Sequence, residues 1–193
     1  MARKKDFDED ELLEKAVNIF WDKGYCATSA QDLVDGLGIN RSSLYNTYTD
    51  KRTLFTKSLK HYQDKQTSAV LSLLNNADNI YEVIKEIFDR IIQESVEDNL
   101  TKGCFMVNTA VELSSHDPEV KDLVNLNNQS VVDALKRAIE KGQKSGQINQ
   151  DSAPLAVARF IFSTISGLRV TARSGADEKT LKDIASVTLQ SLK

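Results

Sequence analysis

Residues 28–48 read Thr28-Ser-Ala-Gln-Asp-Leu-Val-Asp-Gly-Leu-Gly-Ile-Asn-Arg-Ser-Ser-Leu-Tyr-Asn-Thr-Tyr48. The pattern predicts a short helix, a glycine turn and a second short helix ending in aromatic residues. Thr28 is a good N-cap, and Gln31 sits three residues on, where a capping-box partner belongs. Leu33, Leu37 and Ile39 supply apolar contacts across the corner. Gly36 and Gly38 fall where a chain leaving a helix often needs positive φ. Asn40 can cap the second helix, which would expose Arg41, Ser42, Ser43, Tyr45 and Asn46. Two helices joined by such a turn form a helix-turn-helix, whose second helix enters the DNA major groove.

The flanks extend this unit. Asp8 and Glu11 form a capping-box pair in sequence, with Phe7 and Leu12 placed as a hydrophobic staple. Leu12, Leu13, Ala16, Val17, Phe20 and Trp21 then make one apolar stripe, and Gly24 ends the helix. Asp50 is positioned to cap a long helix with Leu54, Phe55, Leu59, Tyr62, Val70, Leu73 and Leu74 on its apolar face. That helix is long enough to join two domains, so the boundary falls within it near residue 60. Helical periods follow over Ile80–Ile92, Cys104–Ser114, Asp117 to about Lys144 with Pro118 at N1, Asp151–Ala172 and from Asp177 onward. The expected fold is all-α, with about nine helices: an N-terminal unit at 7–60 and a helical unit at 61–193.

Composition narrows the function. The 193 residues are 40% hydrophobic, with a net charge of −3, which argues against indiscriminate coating of polyanions. Residues 1–60 hold ten Lys and Arg against ten Asp and Glu, so DNA affinity must come from local placement. Arg3, Lys4 and Lys5 form one cationic cluster, and Lys51 with Arg52 another. Two cysteines, Cys26 and Cys104, make no metal-type spacing and no disulfide framework. The N-terminus lacks a signal-peptide core. The apolar stretch Ala153–Val170 contains Arg159 and, at roughly 18 residues, is short for a membrane span. A cytoplasmic protein without membrane attachment is expected. No catalytic constellation is visible, so neither enzymatic activity nor a cofactor is expected. Glu112 and His116 lie four apart, but no second pair joins them to make a metal site. A helical enzyme with an unrecognised site and a structural adaptor are the competing readings; a gel shift separates both from a DNA-binding regulator.

Residues 7–60 resemble the TetR/AcrR family of bacterial transcriptional repressors without a gap. The matching elements are Phe20-Trp-Asp-Lys-Gly-Tyr25, Thr28-Ser29, Asp32-Leu33, Gly38-Ile39, Leu44-Tyr45, Tyr48 and Lys51. Asn40 replaces the usual Ser or Thr cap, Thr47 a common His and Tyr48 a common Phe; Val34 and Leu37 stand where alanines are frequent. The resemblance implies an N-terminal DNA-binding domain with its helix-turn-helix at about 29–48. It also implies a C-terminal domain that binds a small effector and dimerises through its last two helices. From the residues alone, the helix at 151–172 is apolar almost all round and needs cover from a second subunit.

The candidate DNA-facing set is Thr28, Ser29, Arg41, Ser42, Ser43, Tyr45, Asn46, Tyr48 and Lys51, with double-stranded operator DNA as partner. Tyr45 takes a phosphate or base edge by family position, whereas the position of Tyr48 is usually core. Arg41 could read guanine or neutralise phosphate, and Lys51 sits at a helix N-terminus suited to phosphate. The small-molecule effector should lie among helices four to eight, with Tyr62, Phe88, Phe105, Asn108, Glu112 and Phe160 as candidate linings. Each of these is also an ordinary core candidate. Cys104, after Gly103 at a helix start and near Lys102, is a candidate reactive sensor whose plain alternative is a small buried residue.

Overall fold

The computed structural model describes residues 8–97 and 102–193; Arg3, Lys4, Lys5 and Phe7 of the expected basic cluster and staple lie outside them, as do residues 98–101. The described residues are all-helical. In chain order come α1 (Glu9–Lys23), α2 (Ala30–Leu37), α3 (Arg41–Tyr48) and α4 (Lys51–Tyr62), then a π-helical turn (Gln63–Thr67) and α5 (Ser68–Asn75). They are followed by α6 (Ile80–Glu97), α7 (Phe105–Leu113), α8 (Pro118–Lys144), α9 (Pro154–Arg173) and α10 (Glu178–Gln190). The long helix expected from Asp50 therefore forms, but its hydrogen-bond ladder is interrupted midway.

Caps chosen by short polar side chains set most helix starts. Asp50, Asp117 and Asp177 each accept from the backbone N–H three residues on, at 2.7, 3.1 and 2.8 Å, which satisfies an otherwise unpaired donor. Pro118 follows Asp117 at N1, where its missing N–H costs nothing. Two expected caps differ. The first helix has no capping box: Asp8 accepts from the Asp10 N–H, and Glu11 instead pairs with Lys15 at 2.7 Å. The second helix is capped by Ser29 with Asp32 as its reciprocal partner, not by Thr28 with Gln31. Thr28 is drawn inward, its hydroxyl donating to the Gly24 carbonyl at 2.6 Å, and this moves the cap one residue along.

Two apolar cores result. The first joins Leu13, Phe20, Leu33, Leu44 and Phe55 but does not stop at residue 60, because Phe105, Met106, Leu113, Val120 and Val124 complete it. The aromatic packing shows why: Phe105 meets Phe55 and Tyr62 edge-on at 5.8 and 5.5 Å. The second core is built from α6, α8, α9 and α10 around Ile80, Phe88, Leu135, Ile139 and Ile161. Burying these five side chains contributes on the order of 10 kcal/mol before chain entropy is set against it.

Helix α9 buries only Ala158, Ile161 and Leu168. Phe160 and Val170, each 47% exposed, and Val187 of α10, 66% exposed, leave an apolar outer face. The expected apolar stretch at 153–170 is short for a membrane span, but α9 runs 20 residues and by length and composition meets that requirement. Arg159, Arg169 and Arg173 lie along it, and its other side is seated on α8 and α10.

Candidate nucleic-acid interface and interdomain cavity

The turn between α2 and α3 is made by one glycine. Gly38 has φ +68° and returns its N–H to the Val34 carbonyl, a conformation cheap only without a Cβ. Gly36 is inside α2, contrary to the expected positive φ; a Cβ there would come 2.6 Å from Cδ1 of Ile19. Its role is close helix crossing. Asn40 then caps α3, accepting from the Ser43 N–H at 2.8 Å and the Ser42 hydroxyl at 2.7 Å.

Helix α3 presents Arg41, Ser42 and Asn46 to solvent, with Ser43 and Tyr45 half-buried and Ser29 exposed at the start of α2. The Arg41 guanidinium lies 5.8 Å from the Tyr45 ring centroid, so cation and aromatic share one edge. Three residues of the expected set are turned elsewhere. Thr28 and Tyr48 are each only 1% exposed. Tyr48 lies under α3 as core; its buried hydroxyl has no hydrogen-bond partner, and burial pushes the phenol up to about 12. Lys51 is half-buried, donating to the Tyr25 and Thr28 carbonyls at 2.8 Å each and lying 4.3 Å over the Tyr25 ring. Its ammonium organises the α1–α2 loop.

Sequence reading missed the joint after α3. Tyr48, Thr49 and Asp50 form a γ-turn in which the Asp50 N–H reaches the Tyr48 carbonyl at 2.6 Å. Thr49 at its centre has φ +63° and ψ −54°, a strained conformation for a β-branched residue. It is the one non-glycine with positive φ among the described residues.

The N-terminal helices are clamped to the rest of the chain by polar contacts. Glu112 of α7 accepts from the Tyr25 and Cys26 amides at 3.0 and 2.7 Å, so it is spent on the α1–α2 loop and not on a metal or ligand. Arg52 of α4 forms a two-toothed pair with Asp117 and also reaches Glu119 at 2.8 Å. That guanidinium holds the Asp117 carboxyl down at about 2. The Trp21 indole donates to the Lys102 carbonyl at 3.0 Å.

Behind these clamps lies a cavity of about 450 Å³, within the usual range for small-molecule sites. The long helix supplies Tyr62, Gln66, Thr67 and Val70; Trp21 of α1 closes one side, and Arg169 of α9 another. Of the expected linings, Tyr62 and Cys104 are present, 3.8 Å apart from oxygen to sulfur. Burial pushes the Tyr62 phenol up. Phe88 and Phe105 fill the two cores, at 0% and 2% exposure. Asn108 donates to the Lys102 carbonyl, and Phe160 points outward from α9. Cys104 is the N-cap residue of α7, as its position after Gly103 suggested. Trp21 and Arg169 were overlooked. An arginine within the apolar run of α9 was the available signal.

Two family models account for most of the chain. One, for bacterial regulatory proteins of the tetR family, matches residues 12–57; the other, for the C-terminal domain of tetracyclin repressor-like proteins, matches residues 81–187. A Bacillus subtilis HTH-type transcriptional regulator, YezE, is 33% identical over the full length of both chains. The chain belongs to the TetR family. The Escherichia coli HTH-type transcriptional repressor ComR is 29% identical over 98% of this chain and 90% of its own. The fold is shared with a cysteine mutant of the TetR-family regulator CifR complexed with 26-bp operator DNA. That structure has a TM-score of 0.86 at 23% identity and covers 99% of this chain and 100% of its own.

Membership explains the arrangement of α1–α3: this TetR-family chain is a DNA-binding transcriptional regulator, not an enzyme. The Leu44-Tyr45 pair contributes one residue to each side of α3, Leu44 buried and Tyr45 at the surface. Asn40 in the cap position and Tyr48 in place of phenylalanine leave the helix and its packing intact.

Proposed function

We propose that this regulator is a homodimeric repressor that leaves a near-palindromic operator when a small molecule enters the interdomain cavity. DNA-binding residues are Ser29, Arg41, Ser42, Ser43, Tyr45 and Asn46. The short polar side chains reach phosphates and base edges, and Arg41 supplies the charge. The N-terminal domain, from residue 7 to about 60, carries the DNA contacts. Residues 61–193 carry the dimer face, with Phe160, Val170 and Val187 covered by a second copy, and most of the effector site, which Trp21 of α1 closes on one side. Two such copies place their α3 helices about 34–36 Å apart for successive major-groove faces. A soluble cytoplasmic protein fits this role.

The observation that carries the reading is the continuity of α4, the π turn and α5. Lys51 starts this rod at the end of the helix-turn-helix, and Tyr62, Gln66, Thr67 and Val70 on the same rod line the cavity. A ligand bearing on those residues acts on the DNA-binding helices through one rod, provided it prefers the released arrangement. Single π turns inside α-helices are frequent at functional sites.

Cys104 supplies a direct test, because its thiol lies on the cavity wall. In a Cys26→Ser background, alkylation of Cys104 with a bulky maleimide should lower operator affinity by about tenfold or more, read by fluorescence anisotropy. The Cys104→Ser partner should show no change. Unchanged affinity with a confirmed single adduct refutes release through the cavity. The same experiment addresses an electrophile as the natural effector, since Cys104 is half-buried beside open space.

A further inference from the structure

We infer that the effector is an amphipathic anion, a carboxylate or its equivalent on a flat apolar body, whose charge is received by Arg169. The inference rests on the cavity being the effector site. Three charged residues line the cavity: Lys102 and Arg169 against Glu94. Glu94 pairs with Arg169 only from its solvent-exposed side, as an ion pair without a hydrogen bond. Its carboxylate is 3.7 Å away, beyond hydrogen-bond reach, and its side chain is 54% exposed against 25% for the arginine. No described residue takes a hydrogen bond from the Arg169 guanidinium, so its planar donor set is met by Glu94 through charge alone. A carboxylate at hydrogen-bond distance would complete that donor set and balance the second cation, Lys102, which Glu94 leaves in excess.

The remaining wall describes the rest of the molecule. Trp21 and Tyr62 meet edge-on at 5.2 Å and form an aromatic corner, while Val70, Ile87, Ile91 and Val131 make an aliphatic wall. One further polar group is poised there. Asn127 is 5% exposed and accepts from the Thr67 hydroxyl at 2.7 Å, which leaves its amide nitrogen without a partner among the described residues. It can donate to a second oxygen of the ligand. A cationic drug-like molecule would place its charge against Arg169 and Lys102, and a fully apolar one would leave the excess cation and the Arg169 donors without an acceptor.

Anilinonaphthalene sulfonate and its uncharged parent, N-phenyl-naphthylamine, share one flat ring system and differ in the anion. Fluorescence titration of the full-length protein should give affinity for the sulfonate about tenfold or more above that for the amine. Arg169→Gln should abolish that preference while leaving the amine affinity unchanged, and Arg169→Lys should restore part of it. Equal affinities in the parent, an undiminished preference in Arg169→Gln, or binding of neither probe would overturn the anion. Val131→Trp and Ile165→Trp, each checked for folding by circular dichroism, fill the cavity and should expel both probes. If both probes survive in folded variants, binding lies elsewhere, and the cavity falls as the effector site together with the anion. If both are expelled but the sulfonate holds no advantage, the cavity stands and only the anion is lost.

Discussion

Asp117 joins three tasks that substitution can separate. It caps α8 through the Val120 N–H at 3.1 Å, pairs with Arg52 across the junction between α4 and α8, and is held ionised at about 2. An unfolded aspartate titrates near 3.9, so a shift of roughly two units corresponds to at most about 2.6 kcal/mol. Solvent reduces this, because the Arg52 side chain is 42% exposed and that of Glu119 62%; about 1 kcal/mol is the working figure. Asp117→Asn keeps a capping oxygen and removes the charge, so it should cost about 1 kcal/mol at neutral pH. Asp117→Ala also loses the cap, and should cost about 2 kcal/mol. The folded-state value is depressed, so the stabilisation is complete above about pH 4 and is lost as pH falls through about 2. Near pH 3 roughly half should already be gone, narrowing the gap between parent and Asp117→Asn. Urea unfolding of the three proteins at pH 7 and pH 3 measures all of this. Parity of Asn with parent at pH 7, parity of Asn with Ala, or a gap that ignores acidification would each refute the assignment.

Tyr48→Phe removes a buried hydroxyl that has no partner, so it should stabilise by up to about 1 kcal/mol and leave operator affinity unchanged; a loss of affinity in anisotropy would return Tyr48 to the DNA surface. Thr49→Gly should relieve the γ-turn and raise the urea midpoint, the relief of about 1–3 kcal/mol being offset in part by glycine's entropy. A fall would show that the turn carries no strain. Lys51→Met should cost about 1–2 kcal/mol by releasing two carbonyls and the Tyr25 ring. Unaltered stability with lost operator affinity would mean the ammonium serves phosphate instead.

Local features were legible in the sequence because local physics decides them. Asn40, Asp50, Asp117 and Asp177 act as caps within three residues of themselves, Gly38 turns the chain where it stands, and the 3.6-residue period of Ile80–Ile92 suffices to orient α6. The helix-turn-helix and its exposed Arg41, Ser42 and Asn46 belong to this class. Only the tertiary structure decided which side chains were free. Thr28, Lys51 and Glu112 look like available polar groups in sequence, yet backbone groups of the α1–α2 loop claim all three. Phe88 and Phe160 both fit a helical apolar pattern, but one fills a core and the other faces outward. Periodicity fixes a face of a helix without saying what lies opposite it. The cavity likewise gathers Trp21, Tyr62, Cys104 and Arg169 from positions far apart in the chain, and their meeting depends on how whole helices cross.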